Sequence, residues 1–195
     1  LAQCGVCSRR DADKLIEQGK VLVNGQVAGM GQQVEETDTV QVGKKILQGK
    51  QTQKVLAFYK PVGVTCTERD PHAEKKIMDM IRYPERLTYA GRLDKDSEGL
   101  ILLTNDGDLI NAMMRGANRH EKEYIVKTDR EITPDFLEKM AKGIYLKDLD
   151  ITTRECEIEQ IGKFTFRIVL TQGVNRQIRR MCEACGYRVK ALKRI

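Results

Sequence analysis

The apolar positions of the first forty residues change period midway. Ser8-Arg9-Arg10-Asp11 followed by Leu15 and Ile16 predicts a short helix. The Ser8 side chain satisfies a backbone donor, Asp11 answers it, and Gly19 stops the helix in a left-handed conformation. Lys20-Val21-Leu22-Val23 then meets Asn24-Gly25, the pair that a two-residue hairpin turn favours, and Gln26-Val27-Ala28 returns. A second strand pair is expected around Val34 and Thr39-Val40-Gln41-Val42. Helix, tight turn and hairpins make a module near the lower size for independent folding.

Gly43-Lys44-Lys45 through Gly49-Lys50-Gln51 is polar and basic and reads as a linker. An apolar strand, Val55-Leu56-Ala57-Phe58-Tyr59, then opens a second domain and is halted by Pro61 and Gly63. Leu100-Ile101-Leu102-Leu103 suits a buried strand, and Asp108 to Met114 a short helix with Leu109, Ile110, Met113 and Met114 as its apolar residues. Tyr124-Ile125-Val126-Lys127 reads as a strand. Thr133-Pro134-Asp135 starts a helix with a cap, a first-turn proline and an acid against the dipole. Phe136, Leu137, Met140 and Ala141 face inward there, and Gly143 closes it. Phe164 to Leu170 alternates as a strand, and Val174 to Cys185 forms a helix ended by Gly186. Strands and helices do not alternate strictly. This predicts an α+β chain: a module over 1–43, a linker over 44–53, and a domain over 54–195 with a mixed, largely antiparallel sheet.

Composition narrows the function. Of 195 residues, 41% are hydrophobic and 32% charged, enough for a core and too polar for a membrane protein. No apolar run approaches the roughly 20 residues of a bilayer span. Lys and Arg outnumber Asp and Glu by 34 to 28, a net charge of +6, which favours an anionic partner such as nucleic acid or a membrane surface. Aromatics at 5% with no Trp argue against an aromatic-rich sheet for single strands. The chain starts at Leu1 and reads as a fragment lacking short pieces at both ends; no signal peptide is visible. Its six cysteines do not resemble a secreted disulfide scaffold, so a reducing cytoplasm is expected.

Several familiar chemistries fail on spacing. Cys4-Gly5-Val6-Cys7 and Cys182-Glu183-Ala184-Cys185 could together ligate zinc, but Ile178, Met181, Cys182 and Cys185 follow a helical apolar stripe, which favours a core role. Asp94 to Gly99 matches the first half of a calcium loop, yet its twelfth position is Asn105. A magnesium site from Asp94, Asp96, Asp106 and Asp108 competes with ordinary solvated or capping acids. No glycine loop has a phosphate-binding spacing, and His72 and His120 belong to no motif.

Two segments remain. Gly91-Arg92-Leu93-Asp94-Lys95-Asp96-Ser97-Glu98-Gly99-Leu100 is a polar, glycine-bounded loop feeding a strand, a common support for function. Thr171 to Met181 sets Arg176, Arg179 and Arg180 near a helix start, where the dipole disfavours cations. Phosphates or a buried carboxylate would explain them. From Arg176 to Arg194 seven Arg or Lys face one acid, Glu183, which favours an RNA-facing surface over a merely solvated helix.

Tyr59-Lys60-Pro61-Val62-Gly63-Val64, the Gly91–Leu100 segment and Gly173-Val174-Asn175-Arg176-Gln177-Ile178-Arg179-Arg180-Met181 together resemble the RsuA-type ribosomal RNA pseudouridine synthases. Cys7-Ser8-Arg9-Arg10-Asp11-Ala12 with Val23-Asn24-Gly25 resembles the RNA-binding module named after ribosomal protein S4. Within the family, His120-Glu121-Lys122-Glu123-Tyr124 and Val174 are most similar to the RluF branch, which acts on 23S ribosomal RNA. The resemblance implies a central catalytic cleft, with Asp94 as catalytic aspartate, Arg179 paired to it and Tyr124 stacked on the target base. It makes Leu192 an apolar wall, Lys60 a shaper of the pocket and Arg92 a contact to the flipped nucleotide. Arg176 and Arg180 would bind substrate, and Arg9, Arg10 and Lys14 would hold RNA phosphates.

The implied reaction detaches uracil, turns it and rejoins it through a ring carbon. No atom is gained or lost, so no cofactor or metal is expected. One ionised carboxylate must work beside the anomeric carbon, as nucleophile or as base for the neighbouring sugar proton. In a closed pocket desolvation would raise the pKa of that carboxylate, and a guanidinium fork would oppose the shift. The expected partner is 23S ribosomal RNA, with transfer RNA open as a further substrate; a cytoplasmic monomer without membrane attachment is expected. A catalytically silent RNA-binding or ribosome-assembly protein would share the basic surfaces, but has no need of Asp94, Tyr124 and Arg179 together.

Overall fold

The structure is a computed structural model and describes residues 1–47, 49, 51–67 and 70–195. The chain forms two compact units. One comprises Leu1–Val55 with Tyr83–Thr88 and Thr104–Gly107; the other comprises Leu56–Arg82, Tyr89–Leu103 and Asp108–Ile195.

In the first unit, helix α1 (Arg9–Glu17) begins as its sequence demands. The Ser8 hydroxyl accepts from the Asp11 amide at 3.2 Å and donates to the Asp11 carboxylate at 2.6 Å. Asp11 thus answers the cap through the hydroxyl rather than through the Ser8 amide. Leu15 and Ile16 pack on Val21, Val23 and Ala28. Strands β1 (Val21–Val23) and β2 (Gln26–Val27) are joined by Asn24 and Gly25, both at positive φ, 51° and 81°, as the hairpin requires. Strand β3 (Val40–Val42) pairs with the other edge of β1, and β4 (Lys45–Ile46) pairs with β3. The second hairpin is therefore β3–β4, turning at Gly43, and not a pair involving Val34. Val34 lies in irregular chain and is 51% exposed. Its lone apolar side chain has no alternating neighbours to bury with it. Lys45 and Ile46, read from composition as linker, are strand because the turn returns the chain onto β3; Gln48 and Lys50 of that stretch lie outside the described residues.

The second unit is built on a seven-stranded sheet. Its elements are β5 (Val55–Lys60), β6 (Thr88–Ala90), β7 (Glu98–Thr104), α2 (Gly107–Met114), β8 (Lys122–Thr128), α3 (Pro134–Lys142), β9 (Tyr145–Leu146), β10 (Ile151–Thr152), β11 (Glu157–Gly162), β12 (Thr165–Leu170), α4 (Gln177–Ala184) and β13 (Val189–Arg194). The sheet runs β11-β12-β8-β13-β7-β5, with β6 beside β7. The β11–β12, β12–β8 and β8–β13 pairs are antiparallel, and β13–β7 is parallel, which is the mixed, largely antiparallel α+β arrangement that the sequence implies.

Phe166 and Ile168 of β12, Val126 of β8 and Leu192 of β13 pack with Phe136 and Met140 of α3 and Met181 and Cys182 of α4. Helix α3 starts where its sequence says: the Thr133 hydroxyl accepts from the Phe136 amide at 3.2 Å, with Pro134 in the first turn. Cys182 is fully buried, and burial pushes its thiol up to about 12, so this pair sits on the apolar stripe and not in an exposed turn.

Two departures from the sequence reading concern the site. Helix α4 starts at Gln177 rather than Val174, because Arg176 takes a left-handed conformation at φ 52°. The Leu100–Leu103 run is not buried on both faces: Ile101 and Leu103 are at 0% and 1%, while Leu100 is 38% exposed. Likewise, no residue of α2 is buried. Leu100, Leu102, Met113 and Met114 line an open cleft. The strand between them is fixed by Gly99 at φ +115°, where an added Cβ would sit 2.0 Å from the Arg194 carbonyl oxygen.

Candidate active site

A cleft of about 830 Å³ opens in the second unit. It is lined by most of the loop Gly91–Ser97, by Leu100, Leu102, Met113 and Met114, and by Tyr124, Leu192 and Arg194.

The loop is held through four consecutive carbonyl groups, each with its own donor. The Asp94 carbonyl accepts from the Ser97 amide at 3.1 Å, closing a tight turn. The Lys95 carbonyl accepts from the Gly63 amide at 2.7 Å. The Asp96 carbonyl accepts from Arg179 Nη2 at 2.8 Å, and the same nitrogen lies 3.1 Å from Ser97 Oγ. The Ser97 carbonyl accepts from Lys60 Nζ at 2.7 Å. With its backbone groups satisfied, the turn is a rigid support for the carboxylates it carries.

Asp94 and Asp96 share the arginines of the Gly173–Met181 segment. Arg176 forks onto Asp96, with Nη1–Oδ1 at 3.1 Å and Nη2–Oδ2 at 3.0 Å. Its Nη1 is also 3.6 Å from Asp94 Oδ2. Arg179 Nε is 3.3 Å from Asp96 Oδ2. Burial pushes the Asp96 carboxyl up, but the Arg176 hydrogen bonds and the charges of Arg179 and Arg176 outweigh it and hold the group below its ordinary value. The Asp94 side chain is one-third exposed, at 33%, and faces the cleft.

Two expectations are corrected here. Arg179 pairs with Asp96 and Ser97 instead of Asp94; the left-handed Arg176 projects its guanidinium to the two carboxylates in its place. Arg180 does not line the cleft, since it bonds the Asn175 carbonyl at 2.9 Å and forms an ion pair with Asp148. Lys60 is fully buried, bonding the Pro61 carbonyl at 2.9 Å as well as the Ser97 carbonyl, so it shapes the pocket by supporting the loop rather than by lining it.

The structure places Arg92, Asp94, Tyr124, Arg176 and Leu192 around the cleft. Leu192 is 6% exposed and joins the cleft to the core. Burial pushes the Tyr124 phenol up, Arg194 opposes this, and the Asp94 charge adds to it. Arg194 Nε in turn bonds the Leu100 carbonyl at 2.6 Å. The sequence reading missed Asp96 and Ser97 as arginine partners, although both stand in the loop it singled out; two acids two residues apart opposite three arginines was the available signal. It also missed Arg167 and Glu123, an ion pair on the cleft wall joining neighbouring strands. Arg9, Arg10 and Lys14 are exposed on α1 in the other unit, the first two in its first turn and Lys14 in its last.

Residues 54–184 match the family model for RNA pseudouridylate synthases, and residues 1–40 match that of the S4 domain. The chain is 44% identical over its whole length to the dual-specificity RNA pseudouridine synthase RluF of Escherichia coli strain K12, covering 67% of that protein. It is 35% identical to the ribosomal large subunit pseudouridine synthase B of Yersinia pestis, again over the whole chain and covering 64% of that protein. A solved pseudouridylate synthase structure aligns with 99% of this chain and 84% of its own, at 26% identity and a TM-score of 0.71.

Proposed function

The chain belongs to the RNA pseudouridylate synthase family, and from that premise we propose that it isomerises a uridine of 23S ribosomal RNA with Asp94 as its catalytic carboxylate. The observation that carries this reading is a carboxylate, Asp94, on a turn tied at four successive carbonyls, opening into a cleft beside Tyr124 and Leu192. The large-subunit relative favours 23S RNA, and a transfer RNA stem-loop, which can share the shape of a ribosomal one, is the second substrate to test.

A uridine inside folded RNA is out of reach, so it is flipped into the cleft at a cost of a few kcal/mol. Stacking on Tyr124 offsets roughly 1–3 kcal/mol of this. Arg92 and Arg176 line the cleft, and their assigned task is to hold the phosphates flanking the flipped nucleotide. The N1–C1′ bond then breaks with its electron pair passing to the base. Asp94 acts at the sugar, either by attacking C1′ or by taking the neighbouring sugar proton. The detached uracil turns, C5 bonds to C1′, and the C5 proton leaves to solvent by way of the Tyr124 hydroxyl, which gives up its own proton as it takes this one. Leu192, Leu100 and Leu102 keep water from the sugar meanwhile. The S4 unit, through Arg9, Arg10 and Lys14, adds sequence-independent phosphate contacts. The enzyme works as a cytoplasmic monomer.

The test is pseudouridine mapping in 23S and transfer RNA from cells with and without this gene. Loss of one 23S position on deletion supports the reading. An unchanged 23S map contradicts it, and loss from transfer RNA alone would move the substrate there.

A further inference from the structure

Arg194 of β13 stands opposite Tyr124 of β8 in the antiparallel register, so the two side chains leave the sheet on one face, and both line the cleft. Its Nε donates to the Leu100 carbonyl at 2.6 Å. That bond anchors the guanidinium by one nitrogen and leaves its other donors for the Tyr124 hydroxyl, on which it acts by a hydrogen bond as well as by its charge. The other neighbours of the ring do not offer this. Ile168 lies opposite on β12, and the ring packs on the apolar core. Asp94 faces it with a charge of the other sign. Lys122, two residues along β8, turns its amine to the His120 carbonyl at 3.2 Å.

A phenol that relays a proton loses its own as it takes another. If the C5 proton came first, the oxygen would turn positive beside a cation. With Arg194 in place the hydroxyl proton leads, passing to water, and the oxygen carries negative charge until the C5 proton reaches it. The electron pair of the C5–H bond stays in the ring and restores its double bond. Burial makes a charged phenol oxygen costly and Asp94 makes it costlier, whereas Arg194 opposes both. A guanidinium has no acceptor and keeps its protons, so Arg194 acts only through the tyrosine.

We propose that Arg194 is a positioning residue for the proton relay: it fixes the Tyr124 oxygen from across the β8–β13 ladder and stabilises the negative charge on it while the C5 proton is in transit. The inference rests on the reading of Tyr124 as that relay.

The experiment uses the full chain with unmodified 23S and transfer RNA transcripts whose uridines carry hydrogen or deuterium at C5. Single-turnover pseudouridine formation at saturating RNA is followed for wild type, Arg194→Gln, Arg194→Lys, Tyr124→Phe and the double variant Tyr124→Phe/Arg194→Gln, with melting temperatures alongside. Arg194→Gln is expected to lose roughly tenfold in rate, the loss of one charge-assisted hydrogen bond. Its ratio of hydrogen to deuterium rates should exceed that of wild type, because C5 proton transfer has become the slower step. Arg194→Lys keeps the charge and should lose less. In the double variant the arginine change should add little to the loss from Tyr124→Phe. A merely structural role would slow both isotopic substrates equally and add its loss in either background. A wild-type rate in Arg194→Gln, an unchanged isotope ratio, additive losses, or Arg194→Lys as slow as Arg194→Gln overturns the inference. A wild-type rate in Tyr124→Phe would instead overturn the relay beneath it, and no product from wild type on either RNA would overturn the activity itself.

Discussion

Lys60 Nζ donates to the Ser97 carbonyl at 2.7 Å with the whole side chain shielded from solvent. A buried ammonium is costly unless its donors are used, and here the Pro61 carbonyl at 2.9 Å takes a second. Burial pulls the Lys60 amine below its ordinary value, with nearby Cys66, Asp96, Asp94 and Glu98 opposing the shift. The lysine thus joins the end of β5 to the turn that carries Asp94.

Lys60→Met should therefore lower stability by about 1–3 kcal/mol, since two buried carbonyls lose their donor. Turnover should fall and RNA affinity should hold. Denaturant unfolding with parallel tritium-release assays checks this, and unchanged stability would show that the contact does not support the turn.

Asp96 gives a pH dependence with a definite sign. Its folded carboxyl titrates below the ordinary 3.8, so the unfolded chain binds that proton more readily. The stabilisation is present above 3.8 and is lost as pH falls through the lower folded value. The melting-temperature gap between wild type and Asp96→Asn should be constant through neutral pH and close in acid. A gap that closes between pH 6 and 8 would place its origin elsewhere.

Tyr124 is tested in two steps. Tyr124→Phe keeps the ring and should retain RNA affinity while losing turnover, because the hydroxyl proposed to relay the C5 proton is removed. Tyr124→Leu should also weaken productive binding, by roughly 1–3 kcal/mol of stacking. Equal turnover of wild type and Tyr124→Phe would remove the hydroxyl from the mechanism.

Charge reversal at Arg10 and Lys14 probes the S4 unit. The double variant Arg10→Glu/Lys14→Glu should weaken binding to all RNAs alike and flatten the salt dependence by about one unit of slope per lost phosphate contact. The rate at saturating RNA should not change. A salt slope like that of wild type would dissociate these residues from RNA.

Much of the framework was legible because its signals are local. Asn24-Gly25 specifies two positive φ angles, and Thr133-Pro134 specifies a capped helix start, whatever the rest of the chain does. The site was legible only as far as the loop. Choosing between Asp94 and Asp96 as the arginine partner depends on the left-handed Arg176, which no residue preference announces, and on contacts across 80 or more residues of chain. Arg180 was misplaced because Asp148, its partner, lies in a turn with no signal of its own. Leu100 and Leu102 read as core because an apolar cleft wall and a buried sheet face have the same composition.

The carboxylate at position 94 carries the account, and its replacement is the most direct measurement. Asp94→Asn keeps the number of heavy atoms and leaves the turn's backbone bonds intact. Tritium release and RNA binding should be measured together on unmodified transcripts. The account predicts no detectable release with wild-type affinity; release at the wild-type rate would contradict it.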